Sequence, residues 1–394
     1  GITTLTFKRQ FEGLRVVDAL VSLRFKAGRM VVGQLESYPS IRLSPTPSLS
    51  EDQAATKALA ALGWSDKQAT LRSAPELVVL PVAASSSMTA HLVWQVDLKA
   101  SHTPSNRSVF IDANSGELRG WRENNRFING TVLAEIDDRY PLAGQTEVPL
   151  SYVEIVSDED EAEADLLGLF ELEVGEEGSR VEWSLGSDVW RVNNEHSEGE
   201  VEFADRLEED GQVLVSSPDD DLGNGATRRV RAQLDIHVSG HIARQRAVDI
   251  HPGFPWAQQR AVANVNIPTN NQTPGCNAWF DQDSHVNFLR QGAGCNNTGR
   301  IADVMYHEYG HGFHGWNIIP GAGAFDGALS EGLADYLSAT ITGDPGMGRN
   351  FFLGSPQPLR DVAPDLVWPE DIAEDPHTTG LIVAGALWDL RELL

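Results

Sequence analysis

The segment YHEYGHGFH, Tyr306 to His314, carries three histidines and one glutamate. His307 and His311 are four residues apart, so on a helix both imidazoles leave one face, a turn apart, and can grip one ion. Neutral imidazole binds zinc at ~2.0–2.1 Å. Glu308 points about 100° around the helix from His307. It would flank such an ion without ligating it, where a carboxylate can act as general base. A catalytic zinc site takes three protein ligands and keeps a fourth position open. His314 returns to the same face, but seven helical residues rise ~10 Å, too far to share the ion. An HExxHxxGxxH motif would need glycine at 314 and histidine at 317, where this chain has His314 and Asn317. Glu331, in GALSEGLADY, follows His311 at a distance that accommodates a loop and a second helix returning across the first. Asp335 falls on the same face as Glu331 and can accept the second N–H of a ligating histidine, fixing its tautomer. His237 and His241 share the four-residue spacing but lack the intervening glutamate, and are read as structural.

Helical texture begins near Arg228. RRVRAQLDIHVSGHIARQRA, RIADVMYHEYGHGFHGW, ALSEGLADYLSATI and TTGLIVAGALWDLRELL read as helices, the first despite Gly240. AVANVNIPTN and NAWFDQDSHVNF between them are strand-like. Residues 128–220 hold short strands (TVLAEI, SYVEIV, LFELEV, RVEWSL, QVLVSS) separated by acidic loops. The runs SDEDEAEAD and SPDDDLGNG lack the alternating ligands and turn glycine of a calcium loop, so they read as solvated loops. The aromatic stretch HPGFPWAQQ, 251–259, reads as a packed loop, the alternative being a wall of the cleft. Residues 1–50 alternate with period two. Ser50 and Gln53 then have capping-box spacing before a helix that Gly63 can stop. ELVVLPV, HLVWQVDL and SVFIDANSGEL are further strands, the last turning at Asn114–Gly116.

Charge divides the chain. Residues 1–125 carry 14 basic and 11 acidic side chains, and residues 126–394 carry 16 and 46. The net charge of −27 argues against nucleic acid as a partner. The imbalance reads either as solubility alone or as a neutral-to-basic front segment docking on an acidic body. No apolar run approaches the ~18 residues of a membrane span. Cys276 and Cys295 are the only cysteines and can close a short disulfide loop, which suits an oxidising compartment; the alternative is two buried thiols. The chain opens inside a strand-like alternation, which implies that a leader once preceded it.

HEYGH together with ALSEGLADY resembles the thermolysin-like gluzincin metallopeptidases, and most of all the bacterial relatives of fungalysin. PLRDVAPDLVWPE resembles the family segment whose arginine supports the catalytic histidine and the bound carbonyl, which implies that role for Arg360. PHTTGLIVAGALWDL resembles the segment bearing the histidine that stabilises the tetrahedral intermediate, here His377. NAWF resembles the edge strand that grips the substrate backbone, here through Asn277 and Ala278. Residues 1–50 resemble a fungalysin/thermolysin propeptide module and 51–125 a PepSY module, on TFKRQFEGLRVV and RSVFIDANSGELRG. The chain departs from the family where an oxyanion-binding tyrosine would align, near Ala322. Asp371 and Asp375 compete to orient His377. Asp303 aligns with a family calcium ligand, so calcium is implied as a second ion beside catalytic zinc.

The expected architecture is α+β and multidomain. It comprises an α/β prodomain (1–50 and 51–125), a β-rich region over 126–228 and a catalytic domain over 229–394, mainly helical around HExxH, whose C-terminal lobe is cut short at Leu394. The expected function is a secreted zinc endopeptidase in zymogen form. Protein or peptide would be substrate, and the chain's own prodomain would be the inhibitor, covering the cleft until cleavage near 121–128. The alternative is a latent binding or inhibitory module with a structural zinc site.

Overall fold

The structure is a computed structural model. It describes every residue except 1, 27, 36–40, 85–86, 102–104, 159, 176–177, 198, 219–223, 270–274, 282, 293 and 320–324. The chain is a mixed α+β protein that divides into two compact units, Gly1–Arg126 and Phe127–Leu394.

The first unit is one eight-stranded sheet with a helix on it. Its strands are β1 (Ile2–Phe11), β2 (Leu14–Lys26), β3 (Arg29–Leu35), β4 (Ala69–Leu71), β5 (Glu76–Ala84), β6 (Ser87–Ala100), β7 (Asn106–Asp112) and β8 (Leu118–Glu123). They run in the order β1-β2-β5-β6-β7-β8, with β3 on β2 and β4 on β6. A single parallel pair, Val16 with Val79, joins β2 to β5. Helix α1 (Glu51–Leu62) starts at the capping box of Ser50 and Gln53 and stops at Gly63, whose φ of 70° suits a residue without Cβ. Ala54 and Ala58 bury its inner face against Val96, Leu98, Val109 and Ile111.

The second unit begins with β9 (Arg126–Asp137), β10 (Gln145–Pro149), β11 (Glu154–Ser157), β12 (Glu161–Glu163), β13 (Leu169–Val174), β14 (Ser179–Ser184), β15 (Trp190–Asn194), β16 (Glu202–Leu207) and β17 (Gln212–Ser216). Strands β10-β9-β13, with β17 on β9, form one sheet, and β12-β11-β14-β16 another. The acidic run at 157–165 is the β11–β12 hairpin. The run at 217–225 lies mostly outside the described residues. Helix α2 (Asn224–Ile250) follows, then β18 (Ala261–Ile267), β19 (Ala278–Phe280), β20 (His285–Leu289), α3 (Ala302–Asn317), α4 (Gly327–Thr342), the short pair β21 (Gly346–Met347) and β22 (Arg360–Asp361), and α5 (Pro376–Leu393).

Helix α2 is polar in sequence yet buried all round from Arg231 to His241. Its polar side chains satisfy groups of the β-rich region, as buried polar atoms must. Arg231 binds Glu135 at 2.7 Å. Gln233 accepts from Val201 N–H, Asp235 accepts from Asp137 N–H, and a His237 ring nitrogen lies 3.0 Å from Ser151 O. Gly240 sits mid-helix because the Trp190 ring fills the space a Cβ would need. One hydrophobic core runs from Ile128 through α2 and α3 to Phe351, so residues on both sides of 228 share it. Among the described residues, no helix is long and apolar enough to cross a membrane.

The sheet nearest the candidate site has the order β15-β18-β20-β19. Its first three strands are parallel, and β19 runs antiparallel along the edge. One row of amides crosses it. Asn193 donates to Asn264, Asn264 to Asn287, and Asn287 to the Trp279 carbonyl and the Asp281 carboxylate. The row ends on the edge strand.

Candidate metal centre

Helices α3 and α4 bring His307, His311 and Glu331 together. Nε2 of His307 lies 3.1 Å from Nε2 of His311 and 3.1 Å from Oε2 of Glu331. Nε2 of His311 is 3.6 Å from Oε1 of Glu331. Donors on a tetrahedral ion with ~2.0–2.1 Å bonds stand about 3.3–3.4 Å apart, so the spacing fits. Oε2 of Glu331 is buried and lies near two imidazoles, but no hydrogen bond of proper geometry satisfies it. This orphaned oxygen faces Nε2 of His307, while the other carboxylate oxygen faces Nε2 of His311, an arrangement that a divalent ion would complete. Among the described residues this is the one group of three or more ligand-type side chains that converges this closely.

Glycines set the approach of the helices. A Cβ on Gly310 of α3 would stand 2.8 Å from the Ala334 Cα of α4. One on Gly332 of α4 would strike the Gly380 carbonyl of α5, and one on Gly380 would lie 2.7 Å from the Ala328 carbonyl. Each glycine is within three residues of a site residue, so the backbones meet where the donors meet.

The outer nitrogens of both histidines are taken. Nδ1 of His307 faces Oδ1 of Asp335 at 2.7 Å. An ionised carboxylate only accepts, so Nδ1 carries the proton and Nε2 faces the centre. Nδ1 of His311 lies 2.9 Å from the Ser330 hydroxyl. Burial works against charge on His307, but Asp335 outweighs it and the pKa is raised to about 9. Burial and the neighbouring charge of His307 lower His311 to about 3. Burial pushes Asp335 up, but His307 and Arg360 hold it well below the usual carboxylate range.

Arg360 binds Asp335 through Nε at 2.7 Å and Nη2 at 2.8 Å. Nη2 stands 3.4 Å from Nδ1 of His307. Both nitrogens are donors, so this contact is a shared aim at Asp335 rather than a bond. The structure therefore places Arg360 behind His307, with no recorded bond to His377.

Glu308 is buried beside this group. Burial raises its pKa to about 7, opposed by His307 and reinforced by Glu331, with the nearby backbone N–H of Phe280 favouring the charged form. That N–H lies on β19. N–H groups of residues two apart in a strand point to the same side. Ala278 therefore turns its backbone N–H and C=O outward, as Phe280 does, while Trp279 faces β20. Asn277 is exposed, and its carbonyl accepts from Thr298 Oγ1. Trp256 stacks on Tyr309 of α3 and meets Phe280 edge-on, so the aromatic loop at 251–259 is packed beneath the centre.

His377 is half exposed on the first turn of α5, with Nε2 3.4 Å from Oε2 of Glu331. Asp375 caps this helix at the His377 and Thr378 N–H groups and holds His377 Nδ1 at 3.0 Å. Asp371 instead accepts from Val367 N–H, so of the two competing aspartates it is Asp375 that meets His377.

Other expected positions fall elsewhere. His314 stacks on Phe325, away from the cluster. His237 and His241 are buried in the core, ring centroids 4.7 Å apart. Ala322 lies outside the described residues. Asp303, expected to ligate calcium, instead gives its carboxylate to Arg139 Nε at 2.6 Å, to Nη2 at 2.9 Å and to the Gly348 N–H. A guanidinium stands where a cation was expected. Cys276 and Cys295 form a disulfide.

No family model and no curated protein matches this chain. Among solved structures it is similar to the Bacillus megaterium YpeB C-terminal domain. Identity is 17%, the TM-score is 0.22, and the match covers 31% of this chain and 51% of that one. The match spans about half of that structure, and a likeness this slight carries no functional argument.

Sequence reasoning missed three contributors: Ser330 behind His311, the Phe280 N–H near Glu308, and Arg139 on the first turn of α3. Ser330 adjoins Glu331 and could have been suspected. A backbone donor and an arginine far away in sequence leave no local signal.

Proposed function

We propose that the chain is a zinc-dependent endopeptidase of the thermolysin-like gluzincin type. The observation that carries this is the buried Glu308 beside three converging donors, at a cluster whose fourth neighbour, His377, stays outside the converged set. A structural zinc site closes its coordination with four protein ligands. Three donors and an adjacent carboxyl suit an open, catalytic one. His307, His311 and Glu331 would hold the ion, and Asp335, Ser330 and Arg360 would fix the imidazoles. When bound, zinc supplies Lewis acidity toward a carbonyl and lowers the pKa of water.

The chain's own residues do the rest. Glu308, with its pKa near neutral, can take a proton from water and pass it to a leaving amine. His377, aimed by Asp375, can offer Nε2–H to negative charge developing on the scissile carbonyl. The outward backbone of Ala278 can pair an extended peptide as an added strand. Residues 1–125, by their likeness to propeptide modules, would act as intramolecular inhibitor until cleavage near 121–128. The disulfide supports secretion to an oxidising compartment.

The test compares wild type with Glu308→Gln, each loaded with zinc, by intact mass over time and by hydrolysis of a peptide library. Wild type should split near 121–128 and cut peptides, while the variant binds one zinc and does neither. A variant as active as wild type would refute the base assignment. Zinc binding by both proteins with no hydrolysis would favour the latent binding module.

A further inference from the structure

Strand β19 has three residues and lies at a sheet edge, too short to hold its own register. Its two ends are secured by different means. At the C-terminal end, the asparagine row reaches the Trp279 carbonyl, the Asp281 N–H bonds the His285 carbonyl, and the Phe280 ring meets Trp256. At the N-terminal end, the Asn277 carbonyl accepts from Thr298 Oγ1 and the Leu289 N–H, and the adjoining Cys276 is bonded to Cys295. Cys295 is buried, and its loop is bonded both to the sheet, through Thr298 Oγ1 to the Leu289 carbonyl and Asn297 to Asn266, and to a segment outside it. Asn296 N–H donates to the Phe351 carbonyl, Leu353 N–H to the Gly294 carbonyl, and the Asn296 amide to the Asn350 carbonyl. The bond therefore ties the start of the edge strand to the 350–353 segment.

Between the two anchors lies Ala278, whose backbone faces outward on the same side of the strand as that of Phe280, the residue near Glu308. None of the converging donors is on this strand; all three are on α3 and α4. We propose that the Cys276–Cys295 bond is a positioning device for peptide capture, holding the Ala278 backbone in register with Glu308, and that it contributes nothing to the metal cluster. The proposal rests on the peptidase reading for its substrate, though not for its geometry. It also specifies a substrate class: peptides extended far enough to pair along β19 depend on the bond, and dipeptide amides do not.

The experiment uses the full chain as Cys276→Ala/Cys295→Ala, with phosphine reduction of the folded wild type as a second route that needs no refolding. Three readouts are taken: zinc stoichiometry, amide exchange of the peptide spanning 276–281, and hydrolysis of a hexapeptide and of a dipeptide amide. The expected result is unchanged zinc stoichiometry and exchange at the β20-facing Trp279 N–H faster by about tenfold or more. KM for the hexapeptide should rise by about tenfold with kcat within about threefold, the pattern of lost binding rather than lost chemistry. Dipeptide amide hydrolysis should not change. Zinc loss in parallel would make the bond a general staple and overturn the proposal, as would unchanged exchange and KM. If the intact wild type hydrolyses nothing, the peptidase reading fails, and exchange together with zinc stoichiometry still decides whether the bond positions the strand.

Discussion

Arg139 grips the helix that carries His307 and His311 from a region remote in sequence, and removing it should be costly in a calculable way. Its carbonyl accepts the Ala302 N–H at the start of α3, and its guanidinium binds Asp303 twice, Asp344 at 2.6 Å and the Gly346 carbonyl at 2.7 Å. The Asp303 side chain is completely shielded from solvent. Arg139→Met keeps length and apolar bulk but leaves a buried carboxylate without its cation. Breaking one side of a buried pair costs about 3–5 kcal/mol. For a unit of this size each kcal/mol moves Tm by about 2–4 °C, so the second unit should melt roughly 6–20 °C lower. The assay is calorimetry of the full chain, in which the two units are followed as separate transitions. Arg139→Met/Asp303→Asn should regain most of the loss, because removing both charges leaves no orphan. A loss under about 1 kcal/mol, or a double variant no better than the single, would show that Asp303 is not held as an ion by Arg139.

Further predictions concern protons and ligand support. His237 is wholly buried and its pKa is lowered to about 4. Above the unfolded value near 6.5 both states are neutral and nothing is lost, but on acidification the unfolded chain takes up the proton first. The second unit should therefore lose stability from about pH 6.5 down to about pH 4, by about 3 kcal/mol at the lower end. Urea midpoints across that range would show it, and a His237→Gln protein with an equally steep decline would count against it. In the metal-free protein His307, raised to about 9, is protonated near neutral pH, and ligation requires its loss. Zinc binding should release about one proton near pH 7 and tighten as pH rises toward 9; titration calorimetry in buffers of different ionisation heat reads this, and zero release would contradict it. Asp335→Asn should weaken zinc affinity by about 10–100-fold without removing a ligand, as measured by competition with a chromogenic chelator; an unchanged affinity would mean that the His307 tautomer is set elsewhere.

Much of the ligand cluster was legible because helices make spacing into geometry. His307 with His311, and Glu331 with Asp335, are four apart, and each pair does share a face in the folded chain. Ser50, Gln53 and Gly63 marked both ends of α1 for the same local reason. The choice of Asp375 over Asp371 was also available: an aspartate before proline at a helix start is a cap, and a cap reaches the next residues. What the sequence hides is whatever depends on distant chain. Helix α2 has the polarity of a surface helix, and only the β-rich region's need for hydrogen-bond partners explains its burial. Asp303 looked like a calcium ligand because nothing nearby announces Arg139, 164 residues earlier. Gly240 looked like a weakness in a helix until Trp190 was found against it.

The glycines at 310, 332 and 380 act as a gauge block. They fix how thick the stack of α3, α4 and α5 is where the three donors meet, and that thickness is set by backbone atoms, the least compressible part of the molecule. The aperture between His307, His311 and Glu331 is thus cut before any ion arrives. Shimming it with a single methyl at Gly310 would push α4, and Glu331 with it, away from the imidazoles without replacing any of the three donor side chains. A wider aperture accommodates longer bonds, so the ion this cluster prefers can be retuned toward larger cations from positions that never touch the metal.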